Sequence, residues 1–162
     1  MSLPSRNPSH NIGFISTRFA GTDGVSLETA KWASVLEERL GQRCFYFSGF
    51  SDRPAERSRV LPEVYYRHPD IESINQIAFA ADWQVAIKAR AEHPELVGLV
   101  KDSFSVQARP ATISRQVQEI KETIKESLYA FARDFELELL IIENALSIPV
   151  HLPLGLDRKS VV

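Results

Sequence analysis

The chain holds one cysteine, Cys44, and four histidines in 162 residues. A lone thiol closes no internal disulfide, and without a Cys-x-x-Cys pair it founds no zinc box. His10, His68, His93 and His151 lie far apart and none belongs to a His-x-x-x-His motif, so no protein-ligated metal is expected. A surplus of positive charge is missing too: 19 Lys and Arg stand against 21 Asp and Glu, a net charge of −2 with the signs mixed along the chain. Neutralising a phosphate backbone needs such a surplus, so no nucleic-acid partner is expected. No apolar run approaches the ~20 residues of a membrane span. Met1 to His10 is polar, carries two prolines and lacks the apolar stretch of a secretory signal, so it reads as a disordered leader. These absences point to a cytoplasmic protein. Three fingerprints are also absent: the Gly-x-Gly-x-x-Gly of a dinucleotide site, the Gly-x-x-x-x-Gly-Lys-Ser/Thr of a P-loop, and the Gly-x-Ser-x-Gly of a nucleophile elbow.

What is present suits one globular domain, since 44% of the residues are hydrophobic and domains average ~150 residues. Asn11 to Ser16 reads as a short apolar strand, followed by a loop containing Gly21 and Gly24. Leu27, Ala30, Ala33, Leu36 and Leu40 then recur at helical spacing, with Gly41 as the C-cap and Trp32 expected to pack. Arg43 to Ser48 reads as a second buried strand, completing a βαβ unit. Arg53 to Pro110 is broken by Pro54, Pro62, Pro69 and Pro94 and reads as helical and irregular, with Ile71, Ile74, Ala78, Ala81 and Val85 on one side of a helix within Asp70 to Ala91. Ile113, Val117, Ile120, Ile124, Leu128 and Phe131 define the strongest helix, its Glu- and Lys-rich face turned to water. Leu139 to Ile142 is continuously apolar, as befits a parallel strand covered on both faces, and Pro153 suits the first turn of another helix. The expected fold is α/β, a Rossmann-like parallel sheet flanked by helices.

The chemistry concentrates in Arg18-Phe19-Ala20-Gly21-Thr22-Asp23-Gly24-Val25-Ser26, which joins the first strand to the start of the first helix. Glycine admits positive φ and close approach, and the amides at a helix start carry partial positive charge, so this turn can seat a phosphate. The same residues also suit a tight turn in which Asp23 or Ser26 caps the helix. Glu143-Asn144 follows the Leu139 to Ile142 strand, at the same sheet edge as the glycine turn if the sheet is parallel, where a carboxylate and an amide can hold sugar hydroxyls or simply tie down a loop. Tyr65-Tyr66-Arg67-His68 is a polar-aromatic cluster suited to a sugar or base, or to a buried edge with wet polar tips.

Ile15 to Glu28, with Lys31-Trp32-Ala33 and Phe45-Tyr46-Phe47-Ser48-Gly49, resembles the amino-terminal domain of bacterial family 4, or group 1, glycosyltransferases of the GT-B architecture. Glu143-Asn144-Ala145-Leu146-Ser147-Ile148-Pro149 and Leu152-Pro153-Leu154-Gly155 are similar to a later segment of the same group, so the likeness spans residues 11 to 156. It implies a two-domain enzyme that moves a sugar from a nucleotide-diphosphate donor, a co-substrate rather than a cofactor, to an acceptor with retention of configuration. It carries donor-phosphate or acceptor binding to Gly21, Thr22, Asp23 and Gly24, and acceptor binding to Glu143 and Asn144, but assigns no catalytic residue here. The family's second domain, with its paired glutamates, has no counterpart in these residues, so the chain by itself is expected to be inactive. Asp157 to Val162 matches the translation of a sequencing-adapter read up to a stop codon and is expected to be a non-native tail on a truncated domain. Two other readings stand beside this one: a free-standing α/β domain that binds a phosphorylated metabolite, and another nucleotide-binding enzyme such as an epimerase or reductase.

Overall fold

The structure, a computed structural model, describes residues 9–75, 111–143, 151, 153 and 154. Strand β1 (Asn11–Ile15) leads through helix α1 (Gly24–Leu40) to β2 (Arg43–Ser48) and then β3 (Ser58–Val60). Helix α2 (Pro69–Asn75) follows, and later α3 (Ala111–Asp134) delivers the chain to β4 (Leu139–Ile142). Every pairing among these strands is parallel, in the order β3-β2-β1-β4. Successive strands thus step outward from β1 in one direction and then resume on its other side. With right-handed crossovers, that reversal places the connecting helices on opposite faces. The result is the Rossmann-like α/β sheet flanked by helices that the sequence predicts.

Period-two alternation sorts the strand side chains between the faces. Ile12, Phe14, Cys44 and Tyr46 pack with Phe19 and Ala33 on the α1 side. Ile15, Phe45 and Phe47 pack with Val117, Ile120, Ile124, Leu128 and Phe131 of α3 on the other, joined there by Ile71 and Ile74 of α2. Five of the six positions predicted for the α3 stripe are therefore in the core, and the side chain of Ile113 lies outside the described residues. Gly13 sits beneath that helix. A Cβ there would come 2.6 Å from Leu137 and 3.0 Å from Phe131, so the missing side chain is what lets the rings of Phe131, Phe135, Phe45 and Phe47 close over the sheet.

Three expectations are corrected. In α1 the buried residues are Ser26, Thr29 and Ala33, whereas Leu27 and Leu40 are about half exposed and Trp32, expected to pack, is 52% exposed. The rings of Phe14, Phe19 and Tyr46 stack above the sheet, and the helix meets them with small residues fully buried and with Val25 and the predicted Leu36 partly buried. The region after Arg53 contains a strand, β3, between single turns of 3₁₀ helix at Ala55–Arg57 and Pro62–Val64. Its Ser-Arg-Val has no fully buried residue and no apolar alternation to mark it, yet it pairs in parallel with β2. Strand β4 is parallel as predicted, but its cover is partial: Leu140 packs against the α3-side core and Ile141 against the α1-side core, whereas at the strand ends Leu139 is 53% and Ile142 39% exposed, and among the described residues β1 is its one neighbour. The predicted continuation of α2 toward Ala91, the bulk of the leader and the tail from Asp157 lie outside the described residues. The described helices include none long and apolar enough to cross a membrane.

A buried histidine ties the chain beyond β4 to the loop after β3. His151 is 1% exposed; the Leu154 N–H donates to its Nδ1 at 3.1 Å, so the proton resides on Nε2, which donates to the Glu63 carbonyl at 2.6 Å. Desolvation lowers its pKa, with the Glu63 carbonyl pulling the other way. A histidine whose folded pKa is depressed binds its proton more readily unfolded, so its stabilisation is intact above about pH 6.5 and declines as pH falls toward the folded value. Urea denaturation between about pH 7 and pH 5 should show this decline, and His151→Gln should be less stable at neutral pH but show a shallower loss on acidification.

Candidate functional site

In a parallel sheet, ligands gather outside the carboxyl ends of the strands where the strand order reverses. Here the reversal lies between β1 and β4, and the glycine turn leaves β1 at that point. The turn is stitched to the chain leaving β2. Gly49 N–H donates to Thr17 O at 3.1 Å, Phe19 N–H to Phe50 O at 2.8 Å, and Asp52 N–H to Phe19 O at 2.9 Å. Below it the Phe19 ring is fully buried, edge-on to Tyr46.

The centre of the turn is the Asp23 carboxylate. Its Oδ1 accepts from Val25 N–H and Ser26 N–H, each at 3.1 Å, while Oδ2 accepts from the Ser26 hydroxyl at 2.8 Å and from Arg18 Nη2 at 2.6 Å. Asp23 is thus the N-cap of α1, with extended backbone angles. Desolvation opposes its ionisation, but the Ser26 hydroxyl, the Arg18 guanidinium and the Ser26 amide outweigh it and hold the carboxyl at about 2. Arg18 is correspondingly raised, first by its hydrogen bond to Asp23 against desolvation, then by the charge of Asp23 and by Tyr66 and Tyr65. Arg53 braces the same corner, donating to Ser26 O at 2.7 Å with its guanidinium over the Tyr46 ring.

The two glycines differ in what they do for the chain. Gly21 has φ of +77° and donates its N–H to the Asp52 carboxylate at 2.9 Å, so the turn itself requires it. Gly24 opens α1 without a left-handed φ, and a Cβ on it would meet nothing within 4 Å. Among the described residues, the amides of Thr22 and Gly24 make no hydrogen bond, and both residues are exposed. With Val25 and Ser26 N–H taken by Asp23, the backbone of Thr22 and Gly24 is what this turn offers an anion.

Glu143 follows β4 directly, its N–H donating to Ile15 O at 2.8 Å, so it shares the carboxyl edge with the glycine turn as the sequence predicts. Asn144 lies outside the described residues. The Tyr65-Tyr66-Arg67 cluster reaches the same edge, because the backbone of Gly49 abuts that of Val64 and Tyr65 so closely that any Cβ would overlap it. Sequence reasoning did not assign roles to Arg18, Asp52 or Arg53. No periodicity marks them, and only Arg18, inside the glycine motif, carried a positional signal.

Replacing Asp23 should separate its roles. Asp23→Ala removes the cap and the ion pair to Arg18, which is expected to lower folding stability by about 1–2 kcal/mol, whereas Asp23→Asn, a residue that caps nearly as well, should lose less. Urea denaturation of both variants at neutral pH reads the difference. Comparison with family models, curated proteins and solved structures finds no match to this chain.

Proposed function

We propose that the chain is the amino-terminal, acceptor-side domain of a retaining glycosyltransferase of the GT-B architecture. On this reading the glycine turn approaches the diphosphate of a nucleotide-sugar, and Glu143 and Asn144 face the acceptor. The observation that carries it is the spare glycine. Gly24 has neither a backbone angle nor a neighbour that forbids a side chain, while it and Thr22 are exposed beside the reversal of strand order, with amides that make no hydrogen bond among the described residues. A ligand backing onto the turn supplies the missing reason for glycine at that position.

The chemistry follows from that placement. Sugar transfer leaves negative charge on the departing diphosphate, and fixed amide donors lower the barrier most where they need no reorganisation. Asp23, locked to four donors, keeps the turn in place, and Arg18 screens its charge from an incoming anion. A dry cleft formed with a second domain would favour the acceptor over water. Among the described residues no group acts as nucleophile or base in this reading.

The test is a ¹⁵N NMR titration of the chain with inorganic pyrophosphate. Amide shifts centred on Thr22 and Gly24 are expected, and Gly24→Val should abolish them while changing folding stability by no more than about 0.5 kcal/mol. Shifts that survive in Gly24→Val, or that fall elsewhere, would contradict the reading. Tighter binding of a nicotinamide dinucleotide than of uridine diphosphate would favour the reductase class instead.

A further inference from the structure

Beside the glycine turn runs a strip of side chains that the diphosphate does not use. Phe50, just past β2, is 53% exposed. Its ring centroid lies 5.8 Å from that of Tyr65, which in turn lies 5.0 Å from Tyr66. The Arg67 guanidinium sits 5.6 Å over the Tyr66 ring and makes no ion pair among the described residues. The strip is built into the sheet rather than hung from a loose loop. Leu61 N–H donates to Ser48 O at 3.0 Å, Tyr65 N–H to Pro62 O at 2.9 Å and His68 N–H to Tyr65 O at 2.9 Å, while Val64 is fully buried and Gly49 is pressed against the Tyr65 backbone. Its inner end meets the glycine turn through Arg18, which Tyr65 and Tyr66 both influence.

The exposed ring of Phe50, beside the phenolic tips of the half-buried Tyr65 and Tyr66, suits a ligand that is apolar on one side and rich in hydroxyls at its rim, which describes a pyranose ring. A guanidinium held over an aromatic face, with no carboxylate paired to it among the described residues, selects for an external carboxylate through paired N–H donors. We infer that Phe50, Tyr65, Tyr66 and Arg67 form an acceptor subsite for an acidic sugar, a uronoside whose ring stacks on the aromatic strip and whose carboxylate pairs with Arg67. The word acceptor rests on the glycosyltransferase reading; the sugar site does not.

Titration with methyl glucuronide and methyl glucoside, followed by ¹⁵N NMR, tests the assignment. The glucuronide should shift the amides of Gly49, Phe50 and Arg67 and bind more tightly than the neutral glucoside. Phe50→Ala, a change at an exposed position, should weaken both sugars by roughly tenfold, whereas Arg67→Ala should weaken the glucuronide by roughly tenfold or more and leave the glucoside nearly unaffected. Arg67→Lys should restore part of the loss. Equal affinity for the two sugars, indifference to Arg67→Ala, or no shifts along the strip with either sugar would overturn the proposal. Uronoside binding without any pyrophosphate response at Thr22 and Gly24 would retain the sugar site and remove the glycosyltransferase reading, whereas a pyrophosphate response without sugar binding would do the reverse.

Discussion

The ionised carboxylate of Asp23 is the constraint on which the carboxyl edge of the sheet depends. One side chain closes the start of α1, fixes the Ser26 hydroxyl and holds Arg18 against the turn. These bonds support one another: the cap positions Oδ2 for Arg18, and the guanidinium, with the Ser26 hydroxyl, favours the charged form of the carboxyl that caps the helix. Without that negative group, the amides of Val25 and Ser26 would need another acceptor. The chain has therefore used most of the anion-binding capacity of its first helix on itself, leaving the exposed backbone of Thr22 and Gly24 as the part a ligand can claim.

The edge is firm because the layers beneath it are packed differently. On the α3 side, large aliphatic and aromatic residues interlock, with Gly13 making room for Phe131. On the α1 side the rings belong to the sheet and turn, and the helix contributes the buried Ser26, Thr29 and Ala33 with Val25 and Leu36 partly buried beside them. Phe19 links this core to the site: its ring is buried on Tyr46 while its backbone pairs with Phe50 and Asp52 on both sides. Arg53 joins the same two levels, lying over Tyr46 and bonded to the first turn of α1. Movement of the glycine turn would consequently disturb buried aromatic packing, which favours a preformed site over one assembled on binding.

The parts of this arrangement that burial writes into periodicity were legible in the sequence. The apolar strands and the α3 stripe from Val117 to Phe131 fall where their spacing predicts, and Gly41 closes α1 in the left-handed conformation expected of a C-cap. A three-residue strand without apolar alternation was not legible, which is why β3 has no counterpart in the sequence reading. The rotation of α1 was not legible either. Leu27 and Leu40 look like core residues by hydropathy, but the helix turns Ser26, Thr29 and Ala33 inward and leaves both leucines about half exposed. At the site, Gly21, Thr22, Asp23 and Gly24 were legible as a unit, yet nothing in a Gly-x-x-Gly reveals that the first glycine serves the turn and the second serves nothing within the described chain. Asp52 and Tyr65 reach this edge only because β1 and β2 are neighbours, a relation that no local pattern records.

The most direct test of the Asp23 network is the titration of that carboxyl by ¹³C NMR on the intact chain, with Asp23→Asn used to assign its resonance. A carboxylate that accepts from two amides, a hydroxyl and a guanidinium is expected to titrate at about 2. A midpoint at the ordinary aspartate value near 3.9 would contradict the account, because it would mean that the carboxylate is neither capping α1 nor paired with Arg18.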